Sequence, residues 1–293
     1  MALNDHGDNG AGQISAERAD KSRAERADKS SAERAGQISA GRAATCACFF
    51  DFDGTLAPIQ DDPEAVLPVP GAVEALKELA SRVSRVAIVS ARPVGFLNRH
   101  FTDLPEIARY GLYGLESQVG SGPVWTHPDA ARFEPVMAEL AARAEAELPE
   151  RVLVEYKRVS VALHYRAEPA LRPVVEEWAS QRTAELGLHA QPGRMVVELK
   201  PPGTRDKGSV VSELIRDMTC AWYFGDDLSD LQAYQALDER QAADPSFVGF
   251  RVAVVNSESG AALSAAADLT IGRPEQVPAF LKDLVDALGP ATP

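Results

Sequence analysis

The chain has few cysteines, no long hydrophobic run and no excess of positive charge. Its 293 residues include three cysteines, Cys46, Cys48 and Cys220, and so small and odd a number is typical of a reducing compartment rather than a disulfide framework. No stretch approaches the roughly 18 apolar residues that a membrane-spanning helix needs. The formal net charge is -13, whereas non-specific nucleic-acid binding requires a basic surface. We therefore expect a cytoplasmic protein that binds neither membrane nor nucleic acid.

The first 44 residues contain almost no large apolar side chains. The segments SAERADKS (15–22), RAERADKS (23–30) and SAERAGQI (31–38) repeat with a period of eight residues. Seven acidic and seven basic residues make residues 1–44 neutral, so the acidic excess lies in the rest of the chain. Because such a segment buries too little apolar surface to offset its ordering entropy, we expect residues 1–44 to form a disordered tail.

Strands and helices alternate on both sides of a different central region. Short apolar runs typical of buried parallel strands occur at 45–50, 84–90, 106–116, 220–224 and 250–255. Helical periodicity follows at 71–82 and at 206–217. This alternation predicts βαβ units, and therefore an α/β fold with a doubly wound parallel sheet.

The middle of the chain predicts an antiparallel module. After an amphipathic helix at 129–148, residues 151–166 alternate so that Glu155 and Lys157 share one strand face, and His164 and Arg166 share a face of the next strand. A helix at 169–186 and two strands at 188–199 repeat the arrangement. We therefore predict an α+β cap domain at 117–201, inserted into a core domain formed by 45–116 and 202–293.

Acidic residues follow two of the predicted parallel strands. The stretch FFDFDGTLAPI ends its strand in Asp51 and Asp53, and CAWYFGDDLSD places Asp226, Asp227 and Asp230 after another strand. Because ligands of open α/β sheets bind outside the carboxyl ends of the strands, we expect these side chains to share one pocket. Neighbouring carboxylates stay ionised together beside a cation, and a hard divalent metal with oxygen ligands is the natural partner.

A hydroxyl and an ammonium complete this set. Ser90 ends the second strand, and Lys207 opens a helix after a Pro/Gly loop. A carboxylate nucleophile, a proton shuttle, a divalent metal and donors for phosphate oxygens together suit phosphoryl transfer. One Asp-rich turn alone is more often a solvated loop or a helix cap, but four ordered motifs at strand ends and helix starts favour catalysis. A receiver domain also combines acids, a hydroxyl and a lysine, but its phosphorylated Asp ends a later strand.

These residues resemble the four motifs of the haloacid dehalogenase superfamily of phosphatases. The motifs are Asp51-Phe52-Asp53-Gly54-Thr55, Ser90, Lys207, and Gly225-Asp226-Asp227 with Asp230. Within the superfamily, residues 46–290 resemble the trehalose-6-phosphate phosphatases, which carry a Glu-x-Lys pair, a His-x-Arg pair and a Glu before the lysine motif. The matching residues here are Glu155, Lys157, His164, Arg166 and Glu198.

The resemblance implies a Mg2+-dependent phosphatase that hydrolyses trehalose 6-phosphate through an aspartyl-phosphate. Its catalytic residues would be Asp51 as nucleophile, Asp53 as acid and base, and Ser90 and Lys207 as phosphate ligands. Its metal residues would be Asp51, Asp53 (through the main-chain carbonyl), Asp226 and Asp227. Its substrate-binding residues would be Gly54, Thr55, Arg92, Glu155, Lys157, His164, Arg166 and Glu198.

The chain departs from the family pattern around the sugar site. Ala91 replaces a Gly in motif two, Tyr113 stands where the family usually has His, and Leu231 and Gln232 replace an acidic pair. These departures leave open a phosphatase for another sugar or glycoside phosphate. A catalytically silent sugar-phosphate sensor, or a regulatory partner of a trehalose-phosphate synthase, is the alternative from another class, and the intact Asp53 argues against it. A monomer is compatible with the sequence.

Overall fold

Two β-sheets organise the residues that the computed structural model describes, which are 33–60, 62–193, 195–203, 205–256 and 261–289. The larger sheet has eight strands. They are β1 (Cys46–Phe50), β2 (Arg85–Val89), β3 (Ile107–Gly111), β4 (Glu116–Gln118), β5 (Trp125–Thr126), β10 (Cys220–Gly225), β11 (Val248–Val254) and β12 (Leu269–Ile271). The smaller sheet has four strands, namely β6 (Leu153–Tyr156), β7 (Val161–His164), β8 (His189–Gly193) and β9 (Val196–Lys200).

The larger sheet is parallel except at one edge. Its strand order is β12-β11-β10-β1-β2-β3-β4-β5, and β4 and β5 are the antiparallel strands. All residues of the central strand β1 are buried, as expected when helices cover both faces of a parallel sheet. The predicted α/β fold with a large parallel sheet is confirmed.

Helices cover both faces of this sheet. They are α1 (33–40), α2 (Ala72–Ala80), α3 (Val94–Phe101), α7 (Lys207–Leu214), α8 (Leu231–Ala243), α9 (Ala261–Ala266) and α10 (Val277–Leu288). Because successive strand residues point to opposite faces, Phe50 lies in one buried cluster with Leu281 of α10, and Phe49 lies in another with Val210 of α7. The chain therefore has an apolar core on each side of the sheet.

The smaller sheet forms a separate module with three helices, α4 (Pro128–Ala131), α5 (Glu134–Glu147) and α6 (Arg172–Leu186). We call residues 128–200 the insert. Its antiparallel strand order is β6-β7-β9-β8. The alternating sequence predicted an antiparallel hairpin here, and in the structure Leu153 pairs with His164. Apolar residues of one sheet face, such as Leu163 and Leu199, pack with Trp178 of α6. The opposite face carries the polar side chains.

The insert begins later in the chain than the sequence suggested. Strands β4 and β5 extend the larger sheet, since Gly111 pairs with Glu116 and Glu116 with Thr126. Residues 117–126, which the sequence assigned to the cap, therefore belong structurally with the larger sheet. This corrects the predicted boundary at residue 117.

The described part of the N-terminal segment is ordered against the core, which corrects the expected disorder of residues 1–44. Helix α1 buries Ala35 and Ser39, and a Cβ on Gly36 would lie 2.6 Å from the Cβ of Ala287. The Trp222 indole donates a hydrogen bond of 3.0 Å to Ser39 Oγ. Small side chains, rather than large apolar ones, therefore bring α1 close to the core. Residues 1–32, with the first two repeats, lie outside the described part of the chain.

Cys46, Cys48 and Cys220 are buried and form no disulfide. Among the described residues, no helix has the length and apolarity needed to cross a membrane.

Candidate active site

Asp51 lies where the two central strands of the larger sheet end. Asp51 directly follows β1 and is 5% exposed. Its backbone N–H donates a hydrogen bond of 2.9 Å to the carbonyl of Phe224. The parallel register pairs Phe50 with Phe224. Because β1 and β10 end next to each other in this register, Asp51 and Asp226 lie close together at the carboxyl edge of the sheet.

Gly54 lets the first acidic turn come close to the second. Its φ is +81°, and a Cβ at this position would lie 2.0 Å from Asp226 Oδ2. Asn256, which follows β11, donates hydrogen bonds to Asp226 Oδ2 (2.7 Å) and to the Gly54 carbonyl (3.4 Å). Thr55 Oγ1 donates to Asp226 Oδ1 over 3.4 Å. The sequence reasoning missed Asn256, although a lone polar residue at the end of the apolar strand FRVAVV was a signal.

A buried ion network holds Lys207 beside Asp51. The Lys207 Nζ lies 3.1 Å from Asp51 Oδ1 and 2.7 Å from Asp230 Oδ1. Tyr223 donates its hydroxyl to the same Asp230 Oδ1 at 2.7 Å. The other oxygen of Asp230 accepts the backbone N–H groups at 226–227, at 2.9 and 3.0 Å. Both oxygens of Asp230 are thus occupied, so this residue positions Lys207 and the second acidic turn.

The carboxylates of this site are close enough to influence one another. Ligand oxygens of Asp51, Asp226 and Asp230 lie within 4.8 Å of one another. Burial, reinforced by the neighbouring negative charges, raises the pKa of Asp51 and that of Asp226. Burial disfavours the Lys207 ammonium, but Asp230 and Asp51 outweigh this effect and raise the lysine pKa. Buried, paired carboxylate oxygens fit a hard divalent cation, whose charge would stabilise their ionised forms.

The carboxylates of two predicted metal residues have hydrogen-bond partners outside the cluster of Asp51, Asp226 and Asp230. Asp53 accepts two hydrogen bonds from Arg92, of 2.8 Å from Nε and 2.7 Å from Nη2. Asp227 Oδ1 accepts the backbone N–H of Ser229 at 2.8 Å and its hydroxyl at 2.6 Å. Asp51 and Asp226 therefore bring side chains into the carboxylate cluster, whereas metal binding by the Asp53 carbonyl or by Asp227 stays a prediction.

Motif two lies at the same edge of the sheet. Ser90 is fully buried after β2, and its Oγ accepts the backbone N–H of Arg92 at 3.1 Å. Besides its pair with Asp53, Arg92 donates to the Pro63 carbonyl at 2.7 Å and lies 4.3 Å from the Phe96 ring centre. The guanidinium is therefore held firmly beside the Asp53 carboxylate.

The insert contributes a second charged cluster. Glu155 Oε2 lies 2.8 Å from His164 Nε2. The Lys157 Nζ lies 3.6 Å from Glu155 Oε2 and 3.6 Å from Glu198 Oε1. In the sheet, Ala162 pairs with Glu155 on one side and with Glu198 on the other, so a small residue separates the two carboxylates and leaves room for Lys157.

The two clusters lie within electrostatic reach of each other. Burial disfavours the charge on Lys157, but Glu198 and Glu155 outweigh it and raise the pKa of this lysine. Burial also disfavours the Glu155 carboxylate, yet the His164 hydrogen bond and Lys157 lower its pKa to about 2, and Arg92 of the core contributes in the same direction. Arg166, the remaining predicted cap residue, is half-buried in the turn after β7.

The fold is haloacid dehalogenase-like. A solved haloacid dehalogenase-like hydrolase from Bacteroides thetaiotaomicron is 17% identical with a TM-score of 0.55, over 80% of this chain and 98% of that one. The C-terminal domain of the Candida albicans trehalose-6-phosphate phosphatase is 21% identical with a TM-score of 0.72, over 87% and 97% of the two chains. At these identities the likeness establishes the fold.

Sequence similarity then gives the family. The trehalose-phosphatase family model matches residues 49–268, and the chain belongs to this family. It is 40% identical over 202 residues to a trehalose-phosphate phosphatase of Mycobacterium avium (strain 104), an alignment that covers 65% of this chain and 51% of the relative. The chain thus spans about half the length of the curated relatives it matches. The family resemblance read from the ordered motifs is confirmed.

Proposed function

We propose that this chain is a phosphatase that hydrolyses trehalose 6-phosphate to trehalose and phosphate. The observation that carries the proposal is the buried edge site, where Lys207 Nζ lies 3.1 Å from Asp51 Oδ1 beside the carboxylate of Asp226. A carboxylate paired with an ammonium at a strand end can attack phosphorus while the lysine balances the growing charge. Membership of the trehalose-phosphatase family supports the substrate.

The reaction would proceed in two displacements at phosphorus. Asp51 Oδ attacks the phosphate ester, the bond from phosphorus to the sugar oxygen breaks, and Asp53 donates its proton to the leaving oxygen. Asp53 then accepts a proton from water, which attacks phosphorus and releases phosphate from Asp51. Ser90 and Lys207 would bind the phosphate oxygens, and Gly54 and Thr55 belong to the same phosphate-binding turn.

A divalent cation completes this site in the proposal. The carboxylates of Asp51 and Asp226 and the main-chain carbonyl of Asp53 would hold Mg2+, which neutralises charge on the phosphoryl group. Asp230 would act through Lys207 and the turn at 226–227, since its own oxygens are already hydrogen-bonded. Asp227 would orient groups around the cation rather than bind it through its carboxylate.

The insert would supply recognition of the sugar. Hydroxyl-rich ligands suit charged donors and acceptors, because charge-assisted hydrogen bonds are strong and depend on geometry. The cluster of Glu155, Lys157, His164 and Glu198 offers both kinds of group within electrostatic reach of Arg92, and Arg166 lies in the turn after β7. A synthase partner and a cytoplasmic location stay predictions from the sequence.

The test is phosphate release from a panel of sugar phosphates. We expect trehalose 6-phosphate to be hydrolysed with the highest kcat/KM in the presence of Mg2+, EDTA to abolish the activity, and added Mg2+ to restore it. Faster hydrolysis of another glycoside phosphate would reassign the substrate. Binding of trehalose 6-phosphate without phosphate release would instead support the silent sensor, and full activity in metal-free buffer would contradict the proposed role of the cation.

A further inference from the structure

The turn that joins β6 to β7 docks on the larger-sheet domain. Val159, in this turn, is fully buried. It belongs to a small apolar cluster with Leu112 and Leu115, from the segment between β3 and β4, and with Ala130 of α4. The contact joins the insert to the segment that follows the third parallel strand, close to Tyr113.

An ion pair crosses the boundary at the same place. Arg158 Nη1 lies 2.7 Å from Glu116 Oε1, and the Glu116 side chain is only 2% exposed. The other oxygen of Glu116 accepts the backbone N–H of Val94 at 2.9 Å. Since Val94 begins α3 two residues after Arg92, one buried carboxylate links the turn of the insert to motif two.

The backbone of this turn is held in an unusual conformation. Arg158 has a φ of +66°, a left-handed conformation that residues other than Gly rarely adopt and that the surrounding contacts must hold in place. Lys157 N–H donates to the Ser160 carbonyl at 2.9 Å, and Val159 N–H donates to the Lys157 carbonyl at 2.8 Å. Within this tight turn, Lys157 contacts the charged cluster of the insert while the next residue, Arg158, contacts Glu116.

We propose that Arg158 is a positioning residue, and that its pair with Glu116 holds Lys157 and Glu155 in place over the phosphatase site. The proposal rests on the proposed function, because the held residues are those assigned to the sugar. Removal of Arg158 leaves a buried carboxylate with fewer partners when the insert is docked, so docking becomes less favourable. In the part of the chain that the structure describes, no hydrogen bond or ion pair joins Arg158 to the carboxylates around Asp51. The rate of phosphoryl transfer itself should therefore be unaffected by the loss of Arg158.

A second contact joins the insert to the segment after β3 through side chains other than Arg158 and Glu116. The side-chain amide of Gln191 donates to the Tyr113 hydroxyl at 3.2 Å, and the Lys200 Nζ lies 4.5 Å from the centre of the Tyr113 ring. Arg158 variants should therefore fold normally and change the placement of the insert rather than its structure.

The kinetic experiment compares a sugar phosphate with a small aryl phosphate. We expect Arg158→Ala to raise KM for trehalose 6-phosphate about tenfold or more with a smaller effect on kcat, and to leave hydrolysis of p-nitrophenyl phosphate unchanged. Arg158→Lys should recover part of the loss. Glu134→Gln is the matched control, because Glu134 also pairs with Arg158 but lies within the insert, and it should behave like the wild type.

A double-mutant cycle tests the pair itself. Arg158→Ala and Glu116→Gln should be non-additive in kcat/KM for the sugar phosphate, since both remove the same interaction. Additive effects, an unchanged KM in Arg158→Ala, or an equal loss for both substrates would overturn the proposal. If the wild type hydrolyses no sugar phosphate, the proposed function fails. Whether the pair of Arg158 and Glu116 holds the turn in place can still be measured.

Amide hydrogen exchange measures how firmly the turn is held and does not require an active enzyme. We expect the backbone amides of 157–160 and 112–116 to exchange faster in Arg158→Ala than in wild type, and the rates in Glu134→Gln to stay unchanged. Identical protection in Arg158→Ala and wild type would show that the ion pair does not hold the turn.

Discussion

The two charged clusters are built in different ways. In the core, Asp51 follows a strand and Lys207 begins a helix, so the sheet topology alone brings them together. In the insert, Glu155, Ala162 and Glu198 lie inside three neighbouring strands, and the cluster depends on side-chain alternation and register. The core site is thus fixed by the backbone, whereas the insert site can change by substitution without moving a strand. The proposed chemistry therefore depends on the sheet topology, and the proposed sugar recognition depends on side chains of the insert.

The largest loss of activity is expected from a substitution in the core cluster. Asp51→Asn should lower kcat by a factor on the order of 10^4 or more for sugar and aryl phosphates alike, because an amide cannot attack phosphorus. Phosphate release at saturating substrate measures this loss. The exposed Asp103→Asn should retain full activity, and turnover of Asp51→Asn within about tenfold of wild type would contradict the nucleophile assignment.

A smaller and selective effect is expected in the insert cluster. Lys157→Ala leaves Glu155 and Glu198 without their shared cation, so kcat/KM for trehalose 6-phosphate should fall roughly 30-fold or more. Hydrolysis of p-nitrophenyl phosphate, which needs the core site, should change little. The control Arg172→Ala removes an exposed ion pair of the same module. Equal losses for both substrates would mean that the insert cluster supports the fold rather than specificity.

The pH dependence of the free energy of unfolding tests the ion pairing within the insert cluster. Because the pKa of Glu155 is lowered from 4.5 to about 2, its ionised form stabilises the folded state above pH 4.5, and this contribution is lost as the pH falls toward 2. The stability difference between wild type and Glu155→Gln should therefore narrow by on the order of 2 kcal/mol over this interval. Urea unfolding at a series of pH values measures it. The exposed Glu145→Gln should show no such convergence with wild type, and a constant difference for Glu155→Gln would contradict the pairing.

The smallest effect is expected far from both clusters. Ser39→Ala removes the acceptor of the buried Trp222 indole, so the free energy of unfolding should fall by about 1 kcal/mol while kcat and KM stay unchanged. Thermal or chemical unfolding checks the stability, with the exposed Ser180→Ala as the control. An unchanged stability would show that α1 contributes little to the core.

The parts of the molecule that follow from backbone periodicity could be predicted from the sequence. Buried apolar runs predicted the central parallel strands. The ends of these runs predicted that Asp51, Ser90 and the second acidic turn lie at one edge of the sheet. Strict alternation in 151–166 gave the hairpin and the shared face of Glu155 and Lys157. These features depend on local pattern and on rules of sheet topology, so they need no knowledge of particular contacts.

Features that depend on a specific partner could not be predicted. Helix α1 docks through Gly36 and Ser39, which carry no apolar pattern and become meaningful only beside Ala287 and Trp222. Asp53 and Asp227 are acidic residues like their neighbours, and the competition from Arg92 and Ser229 decides where their carboxylates point. Strand β4 is too short and polar, at three residues, to produce a strand pattern, so the start of the insert was placed too early.

The placement of the tryptophans gives each region its own optical signal. The chain has three: Trp222 is fully buried in the larger-sheet domain, Trp178 is nearly buried in the insert, and Trp125 on β5 is half-exposed. The Trp178 indole donates to Glu147 at 2.8 Å, so both buried indoles have a polar partner of their own. Variants that keep a single tryptophan would therefore report by fluorescence on one module at a time. Two separate melting curves, one for Trp222 and one for Trp178, would reveal whether the modules unfold together or in sequence.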